Sequence, residues 1–275
     1  MKPILRPAVK ADIPALCRIW EACFSDSRDY IEYFYLENFE RIETLLIAVD
    51  EVPVSVVHML PACLEGASIS QRAKFIYAVG TLPEHRSNGY MSKLISTITA
   101  DAKQQGNALF LKPSSPTMTE FYARFGFEKG SSFRLVSLDA TATQPLEAEE
   151  ISAVEYNRMR DAAFSGVPYV RWDDAHIQWC IDENRYFSGK TLKIIIDGSE
   201  YFMMGYPEKD TLIINETDLP LSRMKLLSTA LCKMFGTKRI KAYMPSFYCR
   251  EGECVLSSVF YNAPSASAYV NLILI

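Results

Sequence analysis

Apolar residues in this chain recur with two periods, one near 3.6 and one of 2, in alternating blocks. Ile4–Arg6 predicts a short strand. Asp12 then opens a helix with Leu16, Ile19, Trp20 and Phe24 on one face. A second, aromatic helix carries Tyr30, Ile31, Phe34, Tyr35 and Phe39. Thr44–Val49 and Pro53–Leu60 predict a hairpin that turns at Asp50-Glu51, and Phe75–Gly80 predicts a strand. The clearest helix follows: Met91, Leu94, Ile95, Ile98 and Ala102 lie on one face, and Gly106 ends it as a C-cap. Leu109–Leu111 predicts a strand, Thr117–Arg124 a short helix and Phe133–Leu138 a last strand of this half.

The pattern then repeats. Ala153–Phe164 and Asp173–Glu183 predict helices. Leu192–Ile196 and Tyr201–Met204 predict a hairpin around Asp197-Gly198, a type I′ turn sequence. Thr211–Asn215 predicts a strand. The helix Ser222–Phe235 carries Met224, Leu227, Leu231 and Met234, and Ile240–Met244, Val255–Tyr261 and Tyr269–Leu274 predict strands. Phe121-Tyr122-x-Arg-x-Gly also recurs as Phe247-Tyr248-x-Arg-x-Gly. The Ala140–Glu149 stretch, with small residues, a proline and glutamates, predicts a linker. The expected domains are therefore residues 1–140 and 147–275.

Composition narrows the function. With 49% hydrophobic residues the 275-residue chain is a globular protein, not a disordered one. Its net charge of −4 lacks the basic excess that binds nucleic acid or anionic membranes. The seven scattered cysteines form no Cys-x-x-Cys pair, which argues against a disulfide framework or a zinc site. With only three histidines, no metal is expected, and the unpaired thiols point to a cytoplasmic setting. The start MKPILRPAVKAD lacks the apolar core of a signal peptide, and no apolar run is long enough to span a membrane.

Two segments of the first half carry candidate chemistry. In YAVGTLPEHRSNGYMSKLI a strand enters a short loop with Arg86 and Gly89, and an amphipathic helix begins at once. The first turn of a helix presents unpaired amides and partial positive charge, and a glycine there lets an anion approach closely. Arg86 can add a charge-assisted bond. In EFYARFGFE, Tyr122 sits on a short helix that Gly126 breaks into a strand, with Phe121, Phe125 and Phe127 as core candidates.

These motifs, in this order, resemble the GNAT superfamily of acetyl-CoA-dependent N-acyltransferases. Arg86-Ser-Asn-Gly89-Tyr-Met91 is similar to its Arg/Gln-x-x-Gly-x-Gly/Ala pyrophosphate loop, with Ser87 where a glycine is usual. Phe121-Tyr122-Ala-Arg-Phe-Gly126-Phe is similar to its Tyr-x-x-x-Gly-Phe motif. The doubled plan resembles the Eis-like branch without that branch's sterol-carrier-like third domain. The resemblance implies an α/β (α+β) chain of two tandem GNAT-like domains. Each would be a mixed, mostly antiparallel sheet flanked by helices, the second degenerate.

It also implies that acetyl-CoA binds with its diphosphate on Arg86, Ser87, Asn88, Gly89, Tyr90 and Met91, and its pantetheine arm along Val79, Gly80 and Thr81. A backbone N–H near Val79 or Gly80 would face the thioester oxygen, and Tyr122 would protonate the leaving thiolate. The acceptor would be a primary amine of a small molecule or peptide, attacking directly. No strand glutamate is present as its base. Glu84 and His85 read as surface groups, His58 as a base or a core histidine, and a role for the Ile275 carboxylate or for a water chain is open.

The second half lacks the loop: NETDLPLSRMKLL places Glu216 and Asp218 where a diphosphate would be repelled, so no cofactor is expected there. Those acids read either as a cationic-amine attractant or as a solvated rim. The rival to an enzyme is a non-catalytic acyl-CoA-binding regulatory module, which needs the loop but not Tyr122. Aminoacyl transfer from tRNA would need a basic face that the charge balance does not provide. Acceptor identity and oligomeric state are not readable.

Overall fold

The computed structural model describes residues 3–142, 144–265 and 268–272. In chain order it contains β1 (Ile4–Pro7), α1 (Ile13–Cys23), α2 (Arg28–Asn38), β2 (Glu43–Val49), β3 (Val52–Gly66), β4 (Ile69–Thr81), α3 (Tyr90–Gln105), β5 (Ala108–Leu111) and α4 (Pro116–Ala123). There follow β6 (Glu128–Lys129), β7 (Ser132–Asp139), β8 (Glu147–Glu150), α5 (Ala153–Phe164), β9 (Tyr169–Arg171), α6 (Asp174–Tyr186), β10 (Lys190–Ile196), β11 (Ser199–Glu208) and β12 (Thr211–Thr217). The chain closes with α7 (Leu221–Phe235), β13 (Arg239–Pro245), β14 (Glu253–Leu256) and β15 (Val259–Tyr261).

Two compact units result, and neither is one continuous stretch. The first comprises Met1–Cys63, Gln71–Glu128 and Val259–Pro264; the second comprises Leu64–Ser70, Lys129–Ser258 and Ser265–Ile275.

In the first unit, β1, β2 and β3 pair antiparallel in turn, β4 follows β3, and β5 pairs with β4 in parallel. A parallel neighbour requires a crossover, and α3 provides it. Its stripe Leu94, Ile95, Ile98 and Ala102 is buried, and Gly106 ends it in the left-handed conformation at φ 70°. Asp50 and Glu51 both have positive φ, as the β2–β3 turn requires. Trp20 and Phe34 are fully buried, with ring centroids 4.8 Å apart, so the aromatic helix α2 faces the core.

The second unit repeats this order with β10, β11, β12, then α7 and the parallel strand β13. Met224, Leu227 and Leu231 of α7 pack into a core with Leu192, Ile194, Met203 and Leu212, whereas Met234 is exposed. Asp197 and Gly198 take positive φ at the β10–β11 turn.

The strand beside β5 and the strand beside β13 depart from the sequence expectation. β7, which chain order assigns to the first half, pairs with β13 in the second unit's sheet. β15, from near the chain's end, pairs antiparallel with β5 in the first unit's sheet, Phe260 opposite Phe110. Period-2 alternation identifies a strand but does not say which edge receives it. The expected strand Val255–Tyr261 is accordingly two strands: β14 pairs with β7, β15 with β5, and Ser257-Ser258 intervene.

The glutamates of the expected linker form β8, paired with β10, where Lys193 bridges Glu149, Glu155 and Glu200. Tyr269 makes only an isolated bridge to Tyr169 instead of opening a strand. Residues 273–275, and with them Ile275, lie outside the described residues.

Candidate active site

The second half of β4 runs into the site. Its parallel pairing with β5 covers Ala73–Phe75 against Ala108–Phe110, and Ile76–Thr81 continue past that ladder. Backbone groups that leave a ladder need other partners. Here side chains supply several of them. Ser55 Oγ donates to the Gly80 carbonyl at 3.1 Å, the Cys23 thiol donates to the Thr81 carbonyl at 3.3 Å, and Arg86 Nε donates to that same oxygen at 3.3 Å.

The loop from β4 to α3 alternates in backbone hand. Ser87 has φ 64° and Gly89 has φ 74°, both left-handed. Such alternation turns successive amides toward one concavity, an anion-binding arrangement. A side chain at Gly89 would meet nothing within 4 Å, so the glycine serves backbone conformation and leaves the approach open. The Asn88 side chain fixes the loop by donating to the carbonyls of His85 and Arg86 at 3.0 and 3.2 Å.

Helix α3 then begins with no side-chain cap and no acidic residue in its first turn. By contrast, α2, α4, α5 and α6 are each capped by a serine or aspartate oxygen. The leading amides of α3, like those of α1 and α7, have no side-chain cap.

A cavity of about 540 Å³ opens on this loop. Val79, Gly80, Thr81, Arg86, Ser87, Gly89, Tyr90 and Met91 line it, together with His85, Cys23, Phe24 and Met118. Asn88 does not line it and acts on the loop's own carbonyls. Sequence reasoning missed Cys23, Phe24 and Met118. Cys23 and Phe24 arrive from the end of α1, where nothing in the local pattern marks them.

Tyr122 is 4% exposed and is not among the lining residues, although Met118, one turn earlier on α4, is. Burial pushes its phenol well above the usual tyrosine range, so it holds its proton. Glu84 is exposed, and His85 is half-buried. His58 is a core residue with no exposure, hydrogen-bonded on both ring nitrogens.

The second unit presents a different interior at the matching strand. Glu216 is fully buried and accepts from Arg160 Nε at 2.8 Å, Arg160 Nη2 at 3.0 Å and the Tyr156 hydroxyl at 3.0 Å. It is therefore neither a solvated rim residue nor an exposed amine attractant. Asp218 accepts from the Phe202 amide at 2.8 Å, and burial raises its carboxyl to about 7. Tyr248 is 44% exposed and donates to the Ala163 carbonyl, a structural bond.

All seven cysteines are free thiols. Among the described residues, no group of three potential metal ligands is assembled. No helix there is long and apolar enough to cross a membrane.

A family profile described as an acetyltransferase (GNAT) domain matches residues 5–130. No curated protein sequence matches this chain significantly. Among solved structures, the fold is similar to that of a probable N-acyltransferase from Enterococcus faecalis, at 14% identity and TM-score 0.75, covering 94% of this chain and 72% of that one. It is also similar to Eis1 from Mycobacterium abscessus, at 12% identity and TM-score 0.67, covering 94% and 73%. A tandem GNAT protein from the clavulanic acid biosynthesis pathway matches at 10% identity and TM-score 0.57, covering 96% of this chain and 100% of that one. Residues 5–130 thus match a GNAT acetyltransferase domain, and the two mixed sheets flanked by helices share the fold of these tandem and Eis-like GNAT structures.

Proposed function

We propose that this protein transfers an acetyl group from acetyl-CoA to a primary amine of a small molecule or peptide by direct attack. One observation carries the reading. The uncapped, left-handed loop opening α3 stands at the mouth of a cavity lined by Val79–Thr81, just where β4 has left its pairing with β5. These residues fit the cofactor's chemistry: the uncapped amides opening α3 and Arg86 for a diphosphate, and a strand segment that has left the β5 ladder for the amide groups of a pantetheine arm.

The bound thioester supplies an activated acyl group and a thiolate leaving group. The amides of Ser87–Met91 and the Arg86 guanidinium hold the diphosphate. An amide of Val79 or Gly80 donates to the thioester oxygen as negative charge develops, a contribution of about 3–4 kcal/mol. Tyr122, kept protonated by burial, is the general acid toward the leaving sulfur, and the proton released by the attacking amine returns through water to restore the phenol.

Calorimetry with CoA and acetyl-CoA, followed by CoA-release assays over a panel of amines, tests the reading. Micromolar binding with amine-dependent release is the expected result. Binding without release from any amine favours a non-catalytic acyl-CoA-binding module. The burial of Tyr122 off the cavity lining is the observation on that side. Absence of binding removes both.

A further inference from the structure

Within β4, directly before the cavity-lining segment, Ala78 has φ 45°. A left-handed alanine in a strand is strained and persists only where its surroundings impose it. His58 on β3 reaches this residue. Its Nδ1 lies 3.2 Å from the Ala78 carbonyl oxygen. That oxygen can only accept, so Nδ1 carries the ring proton. The ring has no exposure, and burial lowers its pKa to about 4, which keeps it neutral near pH 7. Nε2 is then an acceptor, and the Tyr35 hydroxyl, 2.9 Å away on α2, donates to it. Trp20 and Phe34 pack around the imidazole, with ring centroids at 5.6 and 6.1 Å.

Tyr35, His58 and Ala78 thus form one ordered relay from a helix to the backbone of β4. Two residues further on, Ser55, also on β3, holds the Gly80 carbonyl. The carbonyls of Ala78 and Gly80 are both drawn toward β3. In a planar trans peptide unit the Ala78 carbonyl and the Val79 N–H point in opposite directions. Val79, between the two tethered residues, presents its backbone to the other edge, and it lines the cavity.

We propose that His58 and Tyr35 are positioning residues for acyl transfer: by fixing the Ala78 carbonyl they impose the left-handed kink that aims the Val79 N–H at the thioester oxygen. The inference rests on the acyltransferase reading and adds to it two side chains that touch no substrate. It also explains why a fully buried histidine sits in the apolar strand VSVVHML, where an aliphatic residue would serve the core equally well.

Three variants test it. In His58→Asn the side-chain Nδ2 occupies the place of the imidazole Nδ1 and can keep the bond to Ala78. His58→Leu fills the space without a donor, and Tyr35→Phe removes only the hydroxyl. Each is measured for melting temperature, for acetyl-CoA affinity by calorimetry, and for the bound carbonyl resonance of [1-¹³C]acetyl-CoA, which moves downfield when an amide polarises the oxygen. Turnover is followed by amine-dependent CoA release.

The expected result for His58→Leu is an affinity close to wild type, loss of most of the downfield shift and a fall in kcat of about 10²-fold. His58→Asn is expected to recover most of both, and Tyr35→Phe to fall between them. Wild-type shift and kcat in a folded His58→Leu overturn the proposal. So does a His58→Asn as impaired in shift and kcat as His58→Leu. If His58→Leu does not fold, Tyr35→Phe decides: an unchanged shift and kcat overturn the relay. Failure of the wild type to bind acetyl-CoA removes the acyltransferase reading itself, an outcome distinct from binding that does not respond to position 58.

Discussion

Met118 and Tyr122 stand one turn apart on α4, and of the two only Met118 lines the cavity; Tyr122 is buried and does not line it. A phenol in that position is shielded from bulk water and remains protonated across the working pH range. Tyr122→Phe should lower kcat by about 10²–10⁴-fold with little change in acetyl-CoA affinity. Steady-state kinetics with calorimetry on the same preparation measure both. Near-normal kcat would remove Tyr122 from the mechanism.

Ser87 occupies the left-handed region where the family loop usually has glycine. Ser87→Gly should relieve about 1 kcal/mol of strain while leaving the loop's shape intact. Thermal unfolding of the two proteins is the check, and a lower melting temperature in the glycine variant contradicts it.

Cys23 shares the cavity with the Arg86–Met91 loop, whereas Cys254 is an exposed thiol. Saturating CoA should therefore slow alkylation of Cys23 by N-ethylmaleimide at least tenfold and leave Cys254 unaffected. Mass spectrometry of labelled peptides reports the two sites in one experiment. Equal labelling of Cys23 with and without CoA places the cofactor elsewhere.

Asp218 has its carboxyl raised to about 7, chiefly by burial, from an ordinary value of 3.8. The folded state prefers the protonated acid, so this stabilisation is complete below pH 4 and is lost as pH rises through 7. Asp218→Asn retains an oxygen for the Phe202 amide and removes the charge. It should be more stable than wild type at pH 8, by at most about 4 kcal/mol, with the advantage shrinking toward pH 4. Denaturant unfolding at both pH values measures the difference.

Arg160 and Glu216 have no exposed side-chain surface and pair through two hydrogen bonds. Arg160→Met leaves a buried carboxylate unpaired and should cost about 3–5 kcal/mol. Arg160→Met with Glu216→Leu should recover most of that loss. A double variant no more stable than the single one would place the cost in packing.

Much of the first unit was legible because its signals are local. The stripe from Leu94 to Ala102, the Gly106 cap, the Asp50-Glu51 turn and the Arg86–Met91 loop each declare themselves within a few residues. The turn joining β3 and β4 did not: Ala67 and Ser68 adopt positive φ there, and neither residue type signals it. Long-range choices were equally silent. Phe133–Leu138 reads as a strand wherever it pairs, and Cys23 reaches the cavity only because α1 ends beside Thr81. The buried state of Glu216 depends on Arg160, which lies 56 positions away and on a different element.

The crossed allocation of β7 and β15 ties the fate of the two halves together. A gene fragment ending after residue 140 would encode the GNAT domain with the Leu109–Leu111 edge bare, while carrying a strand whose receiving sheet is missing. Such a fragment is an aggregation hazard rather than a minimal enzyme. Deleting the second half of the chain would therefore also strip the first unit's sheet of the strand that covers β5.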